Sequence, residues 1–241
     1  NGLRVYVHEH QATPIVSVNV WYHVGSRNER PGKTGFAHLF EHLMFEGSRN
    51  VPHGQFDELL EQAGAINNGS TNPDRTNYWE TLPSTALELG LYLEADRMGG
   101  LLDAVSQREL DAQRDVVKNE RRQSYENRPY GLAGETMLAA LYPPDHPYHW
   151  PTIGSMADLD DATLADVQSF FRTYYVPNNA TLAIAGDVRS ADVERAVQRW
   201  FADIPAGAAV PPVIPPAVTC THRVEVLGDQ VQLPRLYLAW H

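Results

Sequence analysis

Cysteine is nearly missing from this chain of 241 residues, which contains only Cys220. A single cysteine excludes an intrachain disulfide and is compatible with either the cytoplasm or the periplasm. Long apolar segments are missing too, because no run of eighteen or more apolar residues occurs, and this excludes a membrane-spanning helix. The sequence also lacks a basic segment followed by an apolar one, the pattern of a signal peptide. It opens on a strand-like segment, so we expect that upstream residues have been removed.

Basic residues are scarce relative to acidic ones, with 19 lysines and arginines against 30 aspartates and glutamates and a formal net charge of −11. This charge argues against nucleic acid as a partner and mildly favours basic or neutral peptides. A content of 43% hydrophobic and 20% charged residues is ordinary for a globular protein. The length fits one large domain or two small ones.

The segment from His38 to His42 has the pattern H-x-x-E-H, with Glu41 directly before the second histidine. On an α-helix, residues four apart lie on one face, so both imidazoles can bind the same metal ion. Neutral imidazole is a good zinc ligand. Glu41 projects from a neighbouring part of this surface, close enough to reach a water on the metal without being a ligand. The pattern is typical of inverted zinc-peptidase motifs.

Histidines four residues apart also occur by chance, and this chain has 10 histidines. The residues around the motif favour metal binding, because the helix would be largely buried by its apolar side chains Phe36, Leu39, Phe40 and Leu43. Two histidines and a glutamate without partners would be costly in such a helix. We therefore predict a metal site here.

A catalytic zinc site needs a third protein ligand and one open position. The candidate is Glu120, within a helix predicted over residues 106–126. Helical spacing places it on one face, expected to point inwards, with Leu110, Gln113, Val117 and Ser124. The alternative is a solvated face, since charged residues surround Glu120. The spacing alone leaves both possibilities open.

These segments belong to a longer series of motifs that follow one another along nearly the whole chain. They are VGSRNE at 24–29, HLFEH at 38–42, LMFEGS at 43–48, NGST at 68–71, TNY at 76–78, VVKNERR at 116–122, ENRPY at 126–130 and YVPNNA at 175–180. In content and order the series resembles the pitrilysin/insulinase family of zinc peptidases, which includes the mitochondrial processing peptidases and many bacterial relatives. The resemblance implies a zinc metalloendopeptidase and the N-terminal, catalytic half of such an enzyme. We expect the protein to be bacterial and either periplasmic or cytoplasmic.

The resemblance also implies how the metal is held. One Zn²⁺ per chain would be bound by His38, His42 and Glu120. Glu41 would be the general base, taking a proton from the zinc-bound water as it attacks a peptide carbonyl and returning it to the leaving amine. Substrates would be unfolded or short peptides.

The peptide substrate is expected to bind as an added β-strand, along the edge formed by residues 65–71. By family resemblance Asn68 would contact it, with Ala65 and Gly69 lining the same edge. From the sequence alone, Asn68 could equally be an ordinary turn or strand-end residue. The resemblance further implies that a C-terminal half, or a homologous partner subunit, completes the site with an arginine and a tyrosine. Arg235 and Tyr237 come too early in the chain to be that pair.

Gln113 departs from the family pattern, which often has a second glutamate two helical turns before the metal-binding one. A glutamine can still form hydrogen bonds but brings no charge. We therefore expect Gln113 to give the metal ligands weaker outer support without removing a ligand.

Strands and helices alternate along the chain. Period-two alternation and turn residues predict strands over 3–8, 15–24, 65–71, 76–82 and 181–188. Helical spacing predicts helices over 35–45, 55–63, 84–99, 106–126, 132–141, 162–174 and 191–201. We expect an α+β fold in which an antiparallel-rich sheet packs against several helices, as in the α/β unit of the family.

Composition changes at residues 206–216, where four prolines stand among small residues. Such a segment behaves as a semi-rigid linker. We expect residues 1–205 to form the zinc-binding catalytic domain. Residues 217–241, with strands over 222–227 and 233–240, would begin a second, truncated α/β domain. The alternative is that these strands join the first sheet.

Two other functions are compatible with parts of this pattern. A non-catalytic structural or partner subunit of the same family would typically lack part of the metal motif, whereas all four motif residues are present here. A metal hydrolase acting on a non-peptide substrate would be expected to show a phosphate-binding glycine loop or an acidic cluster for two metals, and the sequence has neither.

Overall fold

The computed structural model describes residues 1–219 and 221–240, so Cys220 lies outside the described residues. A five-stranded sheet forms its centre. The strands are β1 (Arg4–Glu9), β2 (Ile15–Tyr22), β3 (Ile66–Thr71), β4 (Thr76–Pro83) and β5 (Ala180–Gly186).

The strands lie in the order β1-β5-β2-β4-β3. The β1–β5 pair is parallel and the other three pairs are antiparallel. The expected α+β fold with an antiparallel-rich sheet is therefore confirmed. Strand β5 comes late in the chain but lies between β1 and β2, whereas β3 forms an outer edge.

The helices of the described chain surround one face of this sheet. They are α1 (Phe36–Leu43), α2 (Gln55–Gln62), α3 (Leu87–Gly100), α4 (Gln107–Arg121), α5 (Ala133–Leu141), α6 (Met156–Asp160), α7 (Leu164–Tyr174) and α8 (Ser190–Phe201). Helix α4 continues as a π-helical turn over Arg122–Glu126. The short helix α6, which begins after the N-cap Ser155, was not predicted from the sequence. None of the helices in the described residues combines the length and hydropathy needed to cross a membrane.

The core lies between the sheet and the helices. Alternation along β2 places four fully buried side chains on its inner face, Val16, Val18, Val20 and Tyr22. Helix α1 packs against α7 through aromatic rings, with Phe40 stacked on Phe170 at 5.2 Å between centroids. The helix that carries the H-x-x-E-H motif is therefore held rigidly, because its inner side is fully enclosed.

The segment after α8 differs from its prediction. In the described residues the strands predicted over 222–227 and 233–240 are not formed, and the sheet takes no strand from the described part of this segment. Apolar side chains there stay exposed, with Val226 at 90% and Leu236 at 83%. A strand is stabilised by a hydrogen-bonded neighbour, and within the described residues this segment has none, so its alternation is not enough.

Candidate metal centre

Helix α1 begins where the chain can make a sharp turn. Its N-cap, Gly35, has a left-handed backbone with φ of 89°. A Cβ at this position would lie 2.9 Å from the carbonyl oxygen of Ile153, so the close approach of the neighbouring loop also requires glycine. The helix then runs for 8 residues and presents His38, Glu41 and His42 along its open side.

Helix α4 supplies the facing side chain. Its start is defined by a capping box, in which the Ser106 hydroxyl accepts a hydrogen bond from the N–H of Arg108 and the Glu109 carboxylate bonds back to Ser106. The hydrogen bond from the Ser106 hydroxyl is the main reason that the pKa of Glu109 falls to about 2. Val117 is fully buried, which confirms the predicted inner face, and Glu120 lies one turn further on, half-buried.

The two helices bring three side chains together. Glu120 Oε2 lies 3.5 Å from Nε2 of His38 and 3.4 Å from Nε2 of His42. Across residues 1–219 and 221–240, this is the one group of three or more metal-ligating side chains whose donor atoms all lie within 4.8 Å of one another. The sequence placed the histidine pair on one helix and named Glu120 as the candidate third ligand, and the structure brings that carboxylate to the pair from a distant part of the chain.

The spacing of these atoms suits a metal ion better than direct contact. A hydrogen bond between nitrogen and oxygen is normally about 2.9 Å long, so 3.4–3.5 Å is too long for a good one. Two ligands at the usual zinc bond lengths on a tetrahedral ion are about 3.3 Å apart. Burial lowers the pKa of His38 to about 4, which keeps its imidazole neutral and able to bind a metal at neutral pH. Two imidazoles and one carboxylate are a donor set that fits zinc.

Glu41 lies beside these groups but points towards β3. Its Cγ would be 3.2 Å from a Cβ placed on Gly69. Burial raises the pKa of Glu41 above its usual value, and the nearby Thr71 hydroxyl and His42 ring oppose this shift. A raised pKa makes a carboxylate a stronger proton acceptor, which suits a general base.

Strand β3 offers one unpaired edge next to Glu41, because β4 lies on its other side. Asn68 is exposed there, and its side-chain oxygen accepts a hydrogen bond of 2.8 Å from the N–H of Gly69. Ala65 is not brought to this edge. It precedes β3, is 9% exposed, and its N–H is bonded to the carbonyl oxygen of Leu60. The turn at Gly64, with φ of 76°, still holds Ala65 against the end of α2.

Gln113 lies on the same face of α4 as Glu120, but its side chain bonds to a different group. Its amide donates a hydrogen bond to Glu46, whose other oxygen lies 2.8 Å from Nδ1 of His53. Gln113 therefore ties the loop after α1 to α4, and among the described residues its side-chain hydrogen bond does not go to the three converging groups.

Sequence reasoning missed Glu29. Its two carboxylate oxygens accept hydrogen bonds from the N–H groups of Gly35, at 3.0 Å, and Ala37, at 2.8 Å, at the start of α1. The usual capping signal is a residue at the N-cap itself, and Glu29 stands six residues before Gly35 in the chain. It lay inside a family-like motif, VGSRNE, but no local rule assigned it a role.

Comparison with known protein families gives two matches along the chain. Residues 4–145 match the family described as insulinase, peptidase family M16. Residues 161–241 match a peptidase M16 inactive domain. The first match contains all four motif residues, and the second contains α7, β5 and α8, which share the sheet and core described above.

Individual relatives are bacterial. The chain is 38% identical over 202 residues to the zinc protease PqqE of Helicobacter pylori, a match that covers 83% of this chain and 45% of the relative. The fold of this chain is similar to that in the crystal structure of a protease from Helicobacter pylori, with a TM-score of 0.84 and 36% identity. This match covers 89% of this chain and 51% of that one. The fold is also similar to that of the first half of the periplasmic protease PqqL from Escherichia coli, with a TM-score of 0.76, 25% identity, and coverage of 89% and 47%. The chain therefore spans about half the length of the relatives it matches.

Proposed function

Because this chain belongs to the M16 (insulinase) family of zinc proteases, we propose that it carries the metal centre and the general base of a peptide-hydrolysing enzyme. One observation carries the proposal. Three donor atoms from α1 and α4 converge at separations suited to zinc, and Glu41 stands between them and the open edge of β3.

The three converging residues are proposed to hold one zinc ion per chain through Nε2 of His38, Nε2 of His42 and Oε2 of Glu120. A zinc ion held in this way supplies a Lewis acid that acidifies water and polarises a peptide carbonyl. The His42 ring lowers the pKa of Glu120, so this carboxyl is ionised and ready to bind a cation at neutral pH. His38 is neutral for the reason given above.

Glu41 is proposed to move the proton. Its carboxylate takes a proton from the attacking water and hands it to the departing amine, and the raised pKa makes Glu41 a stronger acceptor in the first of these transfers. The flanking Gly69 lets the carboxylate lie close to the strand edge. The Glu41 carboxylate is thereby brought within reach of the backbone of a peptide bound at the β3 edge.

The edge of β3 is proposed to hold the substrate as an additional strand. Backbone pairing of this kind needs an extended peptide, so unfolded or short peptides fit better than folded proteins. Asn68 and Gly69 are the residues at this edge proposed to contact the peptide, while the buried position of Ala65 makes it a support of the turn.

Residues 1–205 are proposed to form the catalytic unit, joined by the proline-rich segment at 206–216 to a second α/β unit that begins within 217–241. The exposed apolar side chains of that last segment support this, because they need a cover that the described residues do not provide. A further half, on the same polypeptide or on a separate subunit, is proposed to close over the β3 edge.

The test compares the full natural protein with three variants on an unstructured peptide. The wild type is expected to bind about one zinc per chain, and Glu41→Gln should keep the zinc but lose activity by roughly 10²-fold or more. His42→Ala should lose both. Glu61→Gln, which removes an exposed carboxylate on α2, is the matched control and should change neither. Normal turnover by Glu41→Gln would assign the proton transfer to another group.

A further inference from the structure

The N-terminus of α1 has no capping side chain of its own. Its N-cap is Gly35, which offers no side-chain acceptor to the N–H groups of the first turn. The first helical hydrogen bond runs from the N–H of Leu39 to the carbonyl oxygen of Gly35, which leaves the earlier N–H groups to find partners elsewhere. For a largely buried helix such partners are needed, because an unpaired buried N–H destabilises the fold.

Glu29 supplies these partners from outside the helix. One carboxylate oxygen accepts a hydrogen bond from the N–H of Gly35, and the other accepts one from the N–H of Ala37. Glu29 therefore binds two of the N–H groups at the start of α1. The indole of Trp150, which donates to the carbonyl oxygen of Ser26 at 3.1 Å, also lies beside the carboxyl group. Burial raises the pKa of Glu29 to about 8, while the Ala37 and Gly35 N–H groups lower it by favouring the ionised form.

The loop before α1 is fixed from a second side. Asp158 of α6 accepts hydrogen bonds from the N–H of Thr34 at 2.9 Å and from its hydroxyl at 2.6 Å. A Cβ on Gly154 would lie only 2.4 Å from Cα of Gly35, so the backbones are in direct contact here. Asp158 thus holds the turn ahead of the helix, whereas Glu29 holds the helix itself.

We propose that Glu29 is a positioning residue for the metal centre, a role that rests on the function proposed above. Ala37, which Glu29 holds, is followed directly by His38, so the carboxylate sets the first turn from which the first imidazole projects. His38 must place Nε2 within a few tenths of an ångström of its position opposite Glu120 for both to reach one ion. Loss of the outer partners that orient metal ligands typically lowers metal affinity 10- to 100-fold.

Glu29→Gln tests this in the full natural protein. The amide has one oxygen and would turn its NH₂ group towards one of the two backbone N–H groups, so it can satisfy only one of them. Zinc affinity, measured by competition with a chromophoric chelator, is expected to fall about 10-fold or more. The spectrum of the cobalt-substituted protein is expected to change as well, because the ligand geometry is altered.

The chain provides a matched control in Glu9. This carboxylate caps α8 in the same manner, accepting from the N–H of Ser190 at 2.7 Å and its hydroxyl at 2.6 Å, but α8 carries none of the converging residues. Glu9→Gln is therefore expected to lower thermal stability while leaving zinc affinity and the cobalt spectrum unchanged. This separates positioning of the metal ligands from a general effect of losing a helix cap.

The outcomes are distinguishable. A folded Glu29→Gln variant with wild-type zinc affinity would overturn the positioning role while leaving the proposed peptidase intact. Should this variant not fold, Glu29→Asp, which keeps the carboxyl group but shortens its reach, replaces it, and wild-type affinity there would equally overturn the role. Absence of zinc binding by the wild type itself would overturn both the proposed function and this inference.

Discussion

Glu41 and Gly69 lie so close that a methyl group at position 69 would be 3.2 Å from Cγ of Glu41. The same methyl group would be 3.2 Å from the ring of Tyr78 and 3.3 Å from that of Phe45. These distances are tighter than ordinary van der Waals contact, and both rings are packed in the core. The more movable neighbour is therefore the glutamate.

Gly69→Ala is expected to displace the Glu41 carboxyl and to lower kcat roughly tenfold or more, because small misplacements of a reacting group slow catalysis steeply. Zinc content should stay unchanged, since the residues proposed to bind the metal lie at other positions, on α1 and α4. The measurement is steady-state cleavage of an unstructured peptide together with metal analysis.

Gly134→Ala in α5 is the control for this substitution, because a Cβ there meets nothing within 4 Å. It should leave activity unchanged and, as a replacement within a helix, should not lower stability. Equal activity of Gly69→Ala and Gly134→Ala would mean that the residue at position 69 does not affect the placement of the Glu41 carboxyl group.

Asn68→Ala is expected to lower kcat/KM for peptides without loss of zinc, because the residue is exposed at the β3 edge and is proposed to contact the substrate. Ile66→Ala is the comparison, since Ile66 is also on β3 and 64% exposed but lies further from Gly69 along the strand. Peptide kinetics with both variants provide the check. A larger effect at Ile66 than at Asn68 would place the substrate elsewhere along the strand.

A pH-dependent stability is expected from a buried cluster below β4. The Arg97 guanidinium donates from Nε to Glu94 at 2.9 Å, whereas both oxygens of the nearby Glu80 lack a hydrogen-bond partner among the described residues. Burial raises the pKa of Glu80 well above its usual value; Glu94 adds to this shift and Arg97 opposes it. The folded state therefore keeps a proton that the unfolded chain releases, and stability falls as pH rises from about 4.5 through the folded pKa.

Glu80→Gln mimics the protonated acid and should reduce this dependence, to which Glu29 with its raised pKa also contributes. Denaturant unfolding of the metal-free protein between about pH 5 and pH 9 would measure the change. Glu94→Gln should instead destabilise at every pH, by about 3–5 kcal/mol, because it leaves the buried Arg97 without its partner. A wild-type slope retained in Glu80→Gln would assign the proton to another group.

Residues 1–241 alone are expected to bind zinc but to hydrolyse peptides poorly, since the proposed second half supplies orientation and charge stabilisation. Titration with the separately expressed remainder, scored by cleavage of an unstructured peptide, should restore the rate. A fragment as active alone as in the complex would contradict the two-half arrangement.

Local features of this protein could be predicted because they depend on neighbours within a few residues. The spacing of His38, Glu41 and His42 on one helix and the alternation of β2 follow from the 3.6- and 2-residue periods of the backbone. The same reasoning was wrong for residues 222–227 and 233–240, which alternate but form no strand. Alternation is a local property, whereas a strand needs a second segment beside it.

The sequence by itself therefore predicted the helix with its two imidazoles and the class of fold, whereas the spacing along α4 left the orientation of Glu120 open. Only the tertiary structure decided that Glu120 lies 3.4 Å from His42, that β5 enters the sheet between β1 and β2, and that Glu29 holds the start of α1. The physical reason is that these relationships join segments far apart in the chain. They are set by how the helices and the sheet pack around one core, and no local period encodes them.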